Sequence, residues 1–211
     1  MGSTACFRRA FDAPCFDTAA VCRYDARMRQ FSVPCIDAAR PVDSRLSGVL
    51  LVALGSLAIV VLAQISIPIG PVPVTGQTLG VLAVGAALGP RRGPYSILVY
   101  LAYGALGLPV FAGGTGGLVV FAGPTAGYLA GFVAAAWLVG TCFERPALRR
   151  PVPAALVLLA ATVVLYAFGV AWLSRFVGWD RVLVAGVYPF VVGDLLKIAI
   201  VAMGARALSR L

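Results

Sequence analysis

Six apolar stretches, separated by short segments rich in glycine, proline or arginine, occupy residues 46–208 of this chain. They cover residues 46–67, 78–89, 95–108, 121–142, 153–172 and 182–208. An apolar stretch of about 20 residues is long enough to cross the hydrocarbon core of a bilayer as an α-helix. The pattern therefore predicts an all-α, polytopic membrane protein with six transmembrane helices, the second of which is short.

The composition supports a membrane protein and argues against several other classes. Of the 211 residues, 61% are hydrophobic and 12% are charged, and the formal net charge is +9. The charges lie between the apolar stretches and form no basic face, so we expect no nucleic-acid partner. Histidine is absent and no two cysteines are spaced Cys-x-x-Cys, which removes histidine-dependent triads and common zinc sites. We expect neither an enzyme nor a bound cofactor.

Residues 1–45 differ from the rest because they contain seven arginines, five aspartates and no sustained apolar run. We expect a disordered cytoplasmic tail, followed by a single membrane domain at residues 46–208. The predicted tails and loops place 14 arginines on one side of the membrane and two, Arg175 and Arg181, on the other. Because positive charge concentrates in cytoplasmic loops, the sequence predicts a multi-pass protein of the cell membrane with both termini in the cytoplasm.

The last apolar stretch carries an acid and a base, Asp194 and Lys197, within an otherwise apolar helix. Residues three apart lie on one face of a helix, with Cβ atoms about 5–6 Å apart. A charge inside a membrane span is costly and usually faces a cavity, a ligand or a partner. The pair therefore indicates a binding site, or else two charges that neutralise each other where helices meet.

Two unusual segments precede helices. Residues 67–78 hold three prolines and two glycines, which predicts an ordered loop or an extended segment. Residues 107–117 contain Gly113 and Gly114 among several glycines and are flanked by apolar side chains, which favours a lid or pocket wall over a plain flexible connector. We expect tight turns at residues 91–94 and a short loop at residues 174–181.

With this topology, the two segments and the start of the last helix meet on the outer side of the membrane. The candidate binding residues there are Thr75, Gln77, Phe111, Gly113, Gly114, Thr125, Tyr128, Asp194 and Lys197. Asp194 can accept two N–H groups of a urea-like head, and Lys197, Arg175 or Arg181 can hold a carboxylate. Such a pocket, with apolar walls and few polar groups, suits a small molecule with a flat polar head and an acidic tail.

Four segments carry a resemblance to a known family. They are Val-Pro-Val-Thr-Gly-Gln-Thr at 72–78, Gly-Leu-Pro-Val-Phe-Ala-Gly-Gly-Thr-Gly-Gly at 107–117, Gly-Pro-Thr-Ala-Gly-Tyr-Leu-Ala-Gly-Phe at 123–132 and Gly-Asp-Leu-Leu-Lys at 193–197. In this order and spacing the chain resembles the BioY family, the biotin-specific S components of energy-coupling-factor (ECF) transporters. The resemblance extends over residues 46–208.

The resemblance implies a six-helix subunit that captures biotin from outside and delivers it inward with a membrane coupling subunit and ATPase subunits. It also implies that Asp194 and Lys197 contact the ligand, and that the loops around Thr75 and Gly113 close over it. The sequence has no Gly-x-x-x-x-Gly-Lys-Ser/Thr phosphate loop, so any ATPase must be another chain. The alternatives are a stand-alone transporter of another small organic acid or vitamin and, with few suitable residues, an intramembrane enzyme.

Overall fold

The structure is a computed structural model that describes the backbone of residues 43–208 and the side chains of residues 46–205. Helix α1 (Asp43–Gln64) begins three residues before the predicted membrane domain, and the remainder of the predicted tail lies outside the described residues. The other long helices are α2 (Gln77–Ala105), α4 (Ala126–Phe143), α5 (Pro151–Val177) and α7 (Tyr188–Leu208). Short elements connect them: strands β1 (Ser66–Ile67) and β2 (Val74–Thr75), helices α3 (Val119–Ala122) and α6 (Trp179–Gly186), and 3-10 turns at Ala112–Gly114 and Pro146–Arg149.

The described part of the chain has the composition of a membrane-embedded helical protein. Four segments are long and apolar enough to cross a bilayer: Leu46–Gln64, Ala126–Phe143, Pro151–Val177 and Trp179–Ala205. Helix α1 exposes large apolar side chains along one face, at Leu50, Leu54, Leu57 and Val61. This spacing follows the helical repeat, so α1 presents a continuous apolar stripe away from the core.

Helix α2 combines the second and third predicted stretches, and it breaks at Gly89. Gly89 has φ +77°, a conformation that favours glycine, and Pro90 then begins the second half at a position that suits its fixed φ. A Cβ built on Gly93 would lie 3.2 Å from Cα of Gly85, so the two halves pack together as the chain reverses. The predicted turn at residues 91–94 is therefore wrong: these residues are helical, and the reversal occurs at Gly89.

The predicted loop at residues 174–181 is also wrong. Helix α5 continues to Val177, and Gly178 alone, with φ +77°, separates it from α6, which begins at Trp179. Glycine adopts this positive φ without steric cost, so it can end one helix and begin the next. Asp180 in the first turn of α6 interacts favourably with the positive end of that helix.

Glycines allow α4 to pack closely against both α2 and α5. A Cβ on Gly131 would lie 2.9 Å from the carbonyl oxygen of Leu165 in α5, and one on Gly140 would lie 2.5 Å from the carbonyl carbon of Gly89. Around these contacts the core contains Val81, Leu82, Ile97, Tyr100, Ala135, Ala136, Val139, Leu158, Ala161 and Leu165. Helix α4 is thus the central helix against which the site is built.

The proline-rich segment forms the predicted extended structure. Strands β1 and β2 pair antiparallel, with Ser66 opposite Thr75 and Ile67 opposite Val74. Gly76 follows β2, and its N–H donates to the carbonyl oxygen of Ile65 (2.9 Å), which brings the start of α2 close to the end of α1. This hairpin covers one end of the helices.

We expect Gly140→Ala to lower the free energy of unfolding by about 1–3 kcal/mol, because its methyl group would overlap backbone atoms of Gly89 and Pro90. Thermal unfolding of the purified protein in detergent measures the loss. Gly204→Ala is the matched control, since a Cβ there meets no atom within 4 Å and carries only the gain in helix propensity. Equal stability of the two variants would contradict close packing at the break.

Candidate functional site

A cavity of about 370 Å³ lies beneath the hairpin, among α2, α4, α5, α7 and the glycine-rich loop. Its apolar walls come from Val72, Pro73, Phe111, Ala112, Val119, Val120, Gly123, Pro124, Leu129, Phe132, Leu165 and Phe190. Its polar lining comes from Thr75, Gln77, Thr78, Thr115, Thr125, Tyr128, Tyr166, Asp194 and Lys197. Segments that lie far apart in the sequence therefore line one cavity.

Seven of the nine predicted site residues line this cavity: Thr75, Gln77, Phe111, Thr125, Tyr128, Asp194 and Lys197. Gly113 and Gly114 do not; their neighbours Ala112 and Thr115 do. Both glycines have positive φ, and the N–H of Gly113 donates to Ser66 Oγ (3.1 Å). They shape the loop and attach it to strand β1.

Asp194 and Lys197 form a direct ion pair on α7. Lys197 Nζ lies 2.7 Å from Asp194 Oδ1, and the carboxylate residue is only 3% exposed. Nζ also donates to Thr78 Oγ1 and to the carbonyl oxygen of Thr75, both at 2.7 Å. Because an ammonium group has three N–H donors, these three bonds use its full capacity.

The carboxylate of Asp194 is held from the opposite side as well. Thr78 Oγ1 donates to Asp194 Oδ1 (3.0 Å), and the hydroxyl of Tyr166 on α5 donates to Oδ2. A buried charge is tolerated only when it is paired and hydrogen-bonded, and this arrangement meets both conditions. The pair thereby joins strand β2, α2, α5 and α7 at one polar end of the cavity.

A second polar group lies at the start of α2. Gln77 Nε2 donates to the hydroxyl of Tyr100 (2.5 Å), and Thr75 Oγ1 donates to Gln77 Oε1 (3.0 Å). The ring of Tyr100 packs edge-on against Phe111, with centroids 5.4 Å apart, and Phe111 packs in the same way against Phe121 at 5.7 Å. The glycine-rich loop is thus fixed over the cavity by an aromatic cluster.

Tyr128 contributes its ring more than its hydroxyl. Its hydroxyl donates to the carbonyl oxygen of Gly186 (2.8 Å), which ties α4 to the end of α6. A Cβ on Gly169 would lie 2.3 Å from the ring, so glycine at that position makes room for it. On the cavity side, Phe190 lies 6.5 Å from the rings of both Tyr128 and Tyr166. These three rings form an aromatic wall.

The two arginines considered as carboxylate partners do not line the cavity. The guanidinium of Arg175 lies 4.8 Å from the ring centroid of Trp172, whose indole N–H donates to the carbonyl oxygen of Gly123 (2.9 Å). Lys197 is therefore the one cation among the cavity residues that the structure describes.

Sequence reasoning missed Thr78, Tyr166 and Phe190, all of which line the cavity. Thr78 ends the Thr-Gly-Gln-Thr motif, so its proximity to Gln77 was a usable signal. Tyr166 is a polar side chain within an apolar span. This is the same kind of signal that identified Asp194, but it is weaker because tyrosine is uncharged. Phe190 has no such signal, because a phenylalanine in a membrane helix is unremarkable by composition.

Comparison with known proteins agrees with this geometry. The sequence profile of the BioY family matches residues 36–211. The chain belongs to the BioY family. It is 43% identical over 137 residues to a Pyrococcus horikoshii protein named probable biotin transporter BioY, which covers 65% of this chain and 80% of that protein. It is 39% identical over 175 residues to the biotin transporter BioY of Rhizobium etli, covering 79% and 90% of the two chains.

A solved structure supports the same membership. It is described as the S-component for biotin from an ECF-type ABC transporter, and it matches with a TM-score of 0.71 and 28% sequence identity. The match covers 82% of this chain and 96% of that one. The predicted family and all-α membrane class are confirmed, and as a BioY-family member the chain is a transport protein, not an enzyme.

We expect Asp194→Asn to lower the free energy of unfolding by about 3–5 kcal/mol, because it leaves the partly buried ammonium of Lys197 without its counter-charge. The double variant Asp194→Asn/Lys197→Met removes both charges and should recover most of this loss. Unfolding in detergent compares the two, with Arg181→Met as a control for loss of an exposed cation. If the double variant were as unstable as the single one, the unpaired charge would not be the cause.

Proposed function

We propose that this chain is the substrate-capturing subunit of a biotin uptake system, which binds biotin from outside the cell and delivers it inward with an ATP-driven ECF module. The observation that carries the proposal is the cavity, in which an ion pair and a few neutral donors face apolar and aromatic walls. Small-molecule sites have this character, and the volume falls in their usual range of about 300–1,000 Å³. The names of the family's relatives supply the ligand.

The chemistry of biotin fits this lining. Its ureido ring is flat and offers two N–H donors and a carbonyl acceptor, which suits the carboxylate of Asp194 and the amide of Gln77. Its fused rings and aliphatic chain are apolar, which suits the ring of Phe111 and the aromatic wall. Thr75, Thr125 and Tyr128 also line the cavity and supply further neutral contacts.

The carboxylate end of biotin requires a cation, and we assign it to Lys197. Biotin is longer than the spacing between residues three apart on a helix, so one ligand cannot place its two ends on Asp194 and Lys197 while they remain 2.7 Å apart. In this assignment Lys197 exchanges its contact with Asp194 for one with the ligand. Asp194 then keeps its bonds from Thr78 and Tyr166 and accepts the ureido N–H groups.

The topology proposed for this subunit has six spans and both termini in the cytoplasm. The break at Gly89 supports it, because it divides α2 into two antiparallel helices and so gives six helical segments with α1, α4, α5 and α7. The excess of arginine on one side supports the orientation. The hairpin and the glycine-rich loop then face outward, which is where a capture subunit meets its substrate.

The partners proposed are an ECF transmembrane coupling subunit and ATPase subunits. The chain belongs to a transporter family but has no phosphate-binding loop, so it needs another chain to use ATP. The S-component title of the matching structure supports this arrangement.

We expect the purified protein in detergent to bind biotin tightly without any ATPase, because every lining residue of the cavity comes from this one chain. Isothermal titration calorimetry measures the affinity, and thiamin and riboflavin serve as control ligands. Well-folded protein that binds none of the three, or that prefers another small acid, would contradict biotin capture and favour a stand-alone transporter of a different substrate.

We expect Asp194→Asn to weaken biotin binding about 10- to 100-fold, the range for losing hydrogen bonds to a charged group. Lys197→Met should weaken binding of biotin more than binding of biotinamide, which lacks the charged tail. The same calorimetric titration measures both ligands on both variants. Equal losses for the two ligands on Lys197→Met would show that the ion pair acts on the ureido head as a unit and would refute the carboxylate assignment.

A further inference from the structure

A second cavity, of about 440 Å³, lies between α1, α2 and α7 and shares no lining residue with the first. Its lining is apolar except for a single arginine: Leu62, Leu79, Ala83, Ala86, Ala87, Phe143, Arg149, Ile200, Val201, Gly204 and Ala205. The biotin site proposed above uses only the first cavity and assigns no ligand to this one.

The cavity has the form of a slot along the helices. On α2 its lining runs from Leu79 to Ala87, which corresponds to about 12 Å at the helical rise. This length is close to half the thickness of the hydrocarbon core, or about 15 Å. A Cβ built on Gly204 would meet no atom within 4 Å, and Gly204 is exposed. The slot is therefore open to the surface of the protein at that position.

The single polar lining residue lies at one end of the slot. Arg149 belongs to the short 3-10 turn after α4, and its Nε–H donates to the carbonyl oxygen of Phe143 (2.7 Å). A guanidinium has five N–H donors, and the terminal amino groups of Arg149 make no hydrogen bond with the residues that the structure describes. The guanidinium is thus held in place with free donors beside the apolar slot.

The charge of the surrounding segment is positive. Arg145 and Arg150 flank Arg149 in the same connection and are exposed, and Glu144 is its one acidic residue. Arginine binds phosphate groups bidentately, and basic pockets between membrane helices at a bilayer surface bind anionic lipid headgroups. The apolar slot, close to one leaflet in length, suits a lipid acyl chain. The guanidinium at its end suits the phosphate of the same lipid's headgroup.

We infer that this slot binds an anionic phospholipid, with one acyl chain between α2 and α7 and the headgroup phosphate on Arg149. A zwitterionic lipid also carries a phosphate, but its ammonium group would face the excess of positive charge on this connection. The site therefore selects for net negative charge. Lipid and biotin would not compete for the same residues, because the two cavities share none.

The test uses the purified full-length protein in detergent and native mass spectrometry to count and titrate bound lipid. The probes are phosphatidylglycerol, phosphatidylcholine with the same acyl chains, and glycerol phosphate. We expect one phosphatidylglycerol per protein, bound more tightly than phosphatidylcholine, and no retained glycerol phosphate. Arg149→Gln should weaken phosphatidylglycerol binding about fivefold, the value for losing one cation at a membrane surface.

Two variants test the apolar part of the slot. Gly204→Leu places a side chain in its open side and should also weaken phosphatidylglycerol binding about fivefold or more. Ala87→Leu fills the slot from α2 and serves if Gly204→Leu does not fold, as judged by circular dichroism and elution volume. The matched controls are Arg150→Gln, an exposed cation of the same connection, and Met203→Phe, which adds bulk to the exposed face of α7.

Three results would overturn the proposal. Equal losses for Arg149→Gln and Arg150→Gln would mean that diffuse surface charge attracts the lipid. Unchanged lipid binding by a folded slot-filling variant would mean that no acyl chain enters, even if that variant impairs assembly with a partner subunit. Retention of glycerol phosphate as tight as that of phosphatidylglycerol would mean that the site recognises phosphate alone.

Discussion

The ion pair between Asp194 and Lys197 is the interaction on which the arrangement of the candidate site depends. Neither charge could be placed at this depth without the other, and their remaining bonding capacity is met by Thr75, Thr78 and Tyr166. These partners come from the hairpin, from α2 and from α5. The pair therefore fixes the relative positions of the elements that form the polar end of the cavity.

The apolar part of the structure depends on a different constraint, which is the close approach of helices at glycine. Gly131 and Gly140 bring α4 into contact with the backbones of α5 and of the break in α2. Gly104 lies so close to the ring of Phe111 that any side chain would displace it. Close packing at these few glycines determines the positions of the helices that form the apolar walls. The ion pair determines the positions of the elements at the polar end.

Much of the architecture could be predicted from hydrophobicity alone, because long apolar stretches in this chain correspond to helices. The ends of the helices could not. Residues 91–94 contain arginines, glycine and proline, which are typical of a turn, yet the reversal needs only Gly89, since Pro90 can start a helix directly. In the same way, Gly178 replaces a predicted loop of several residues.

The lining of the candidate site's cavity could be predicted where a residue is chemically out of place. Asp194 and Lys197 are conspicuous in an apolar helix, and the motif around Gln77 is conspicuous between two helices. Tyr166 and Phe190 could not be assigned, because their roles depend on which face of a helix turns inward, and only the packing of α5 against α7 decides this. From the sequence, Asp194 and Lys197 indicated either a binding site or two charges that neutralise each other where helices meet. Only the structure shows that they pair directly and also line a cavity.

The hydrogen bonds of Lys197 also have a consequence for the order in which the site is made. Lys197 bonds to Thr75 and Thr78 across 122 and 119 residues of chain, and Tyr166 reaches Asp194 across 28. Since a chain is synthesised from its N-terminus, the hairpin and α5 are produced before the charges that join them. The polar end of the cavity is completed only when α7 is made, so the last helix of the described residues completes the candidate site.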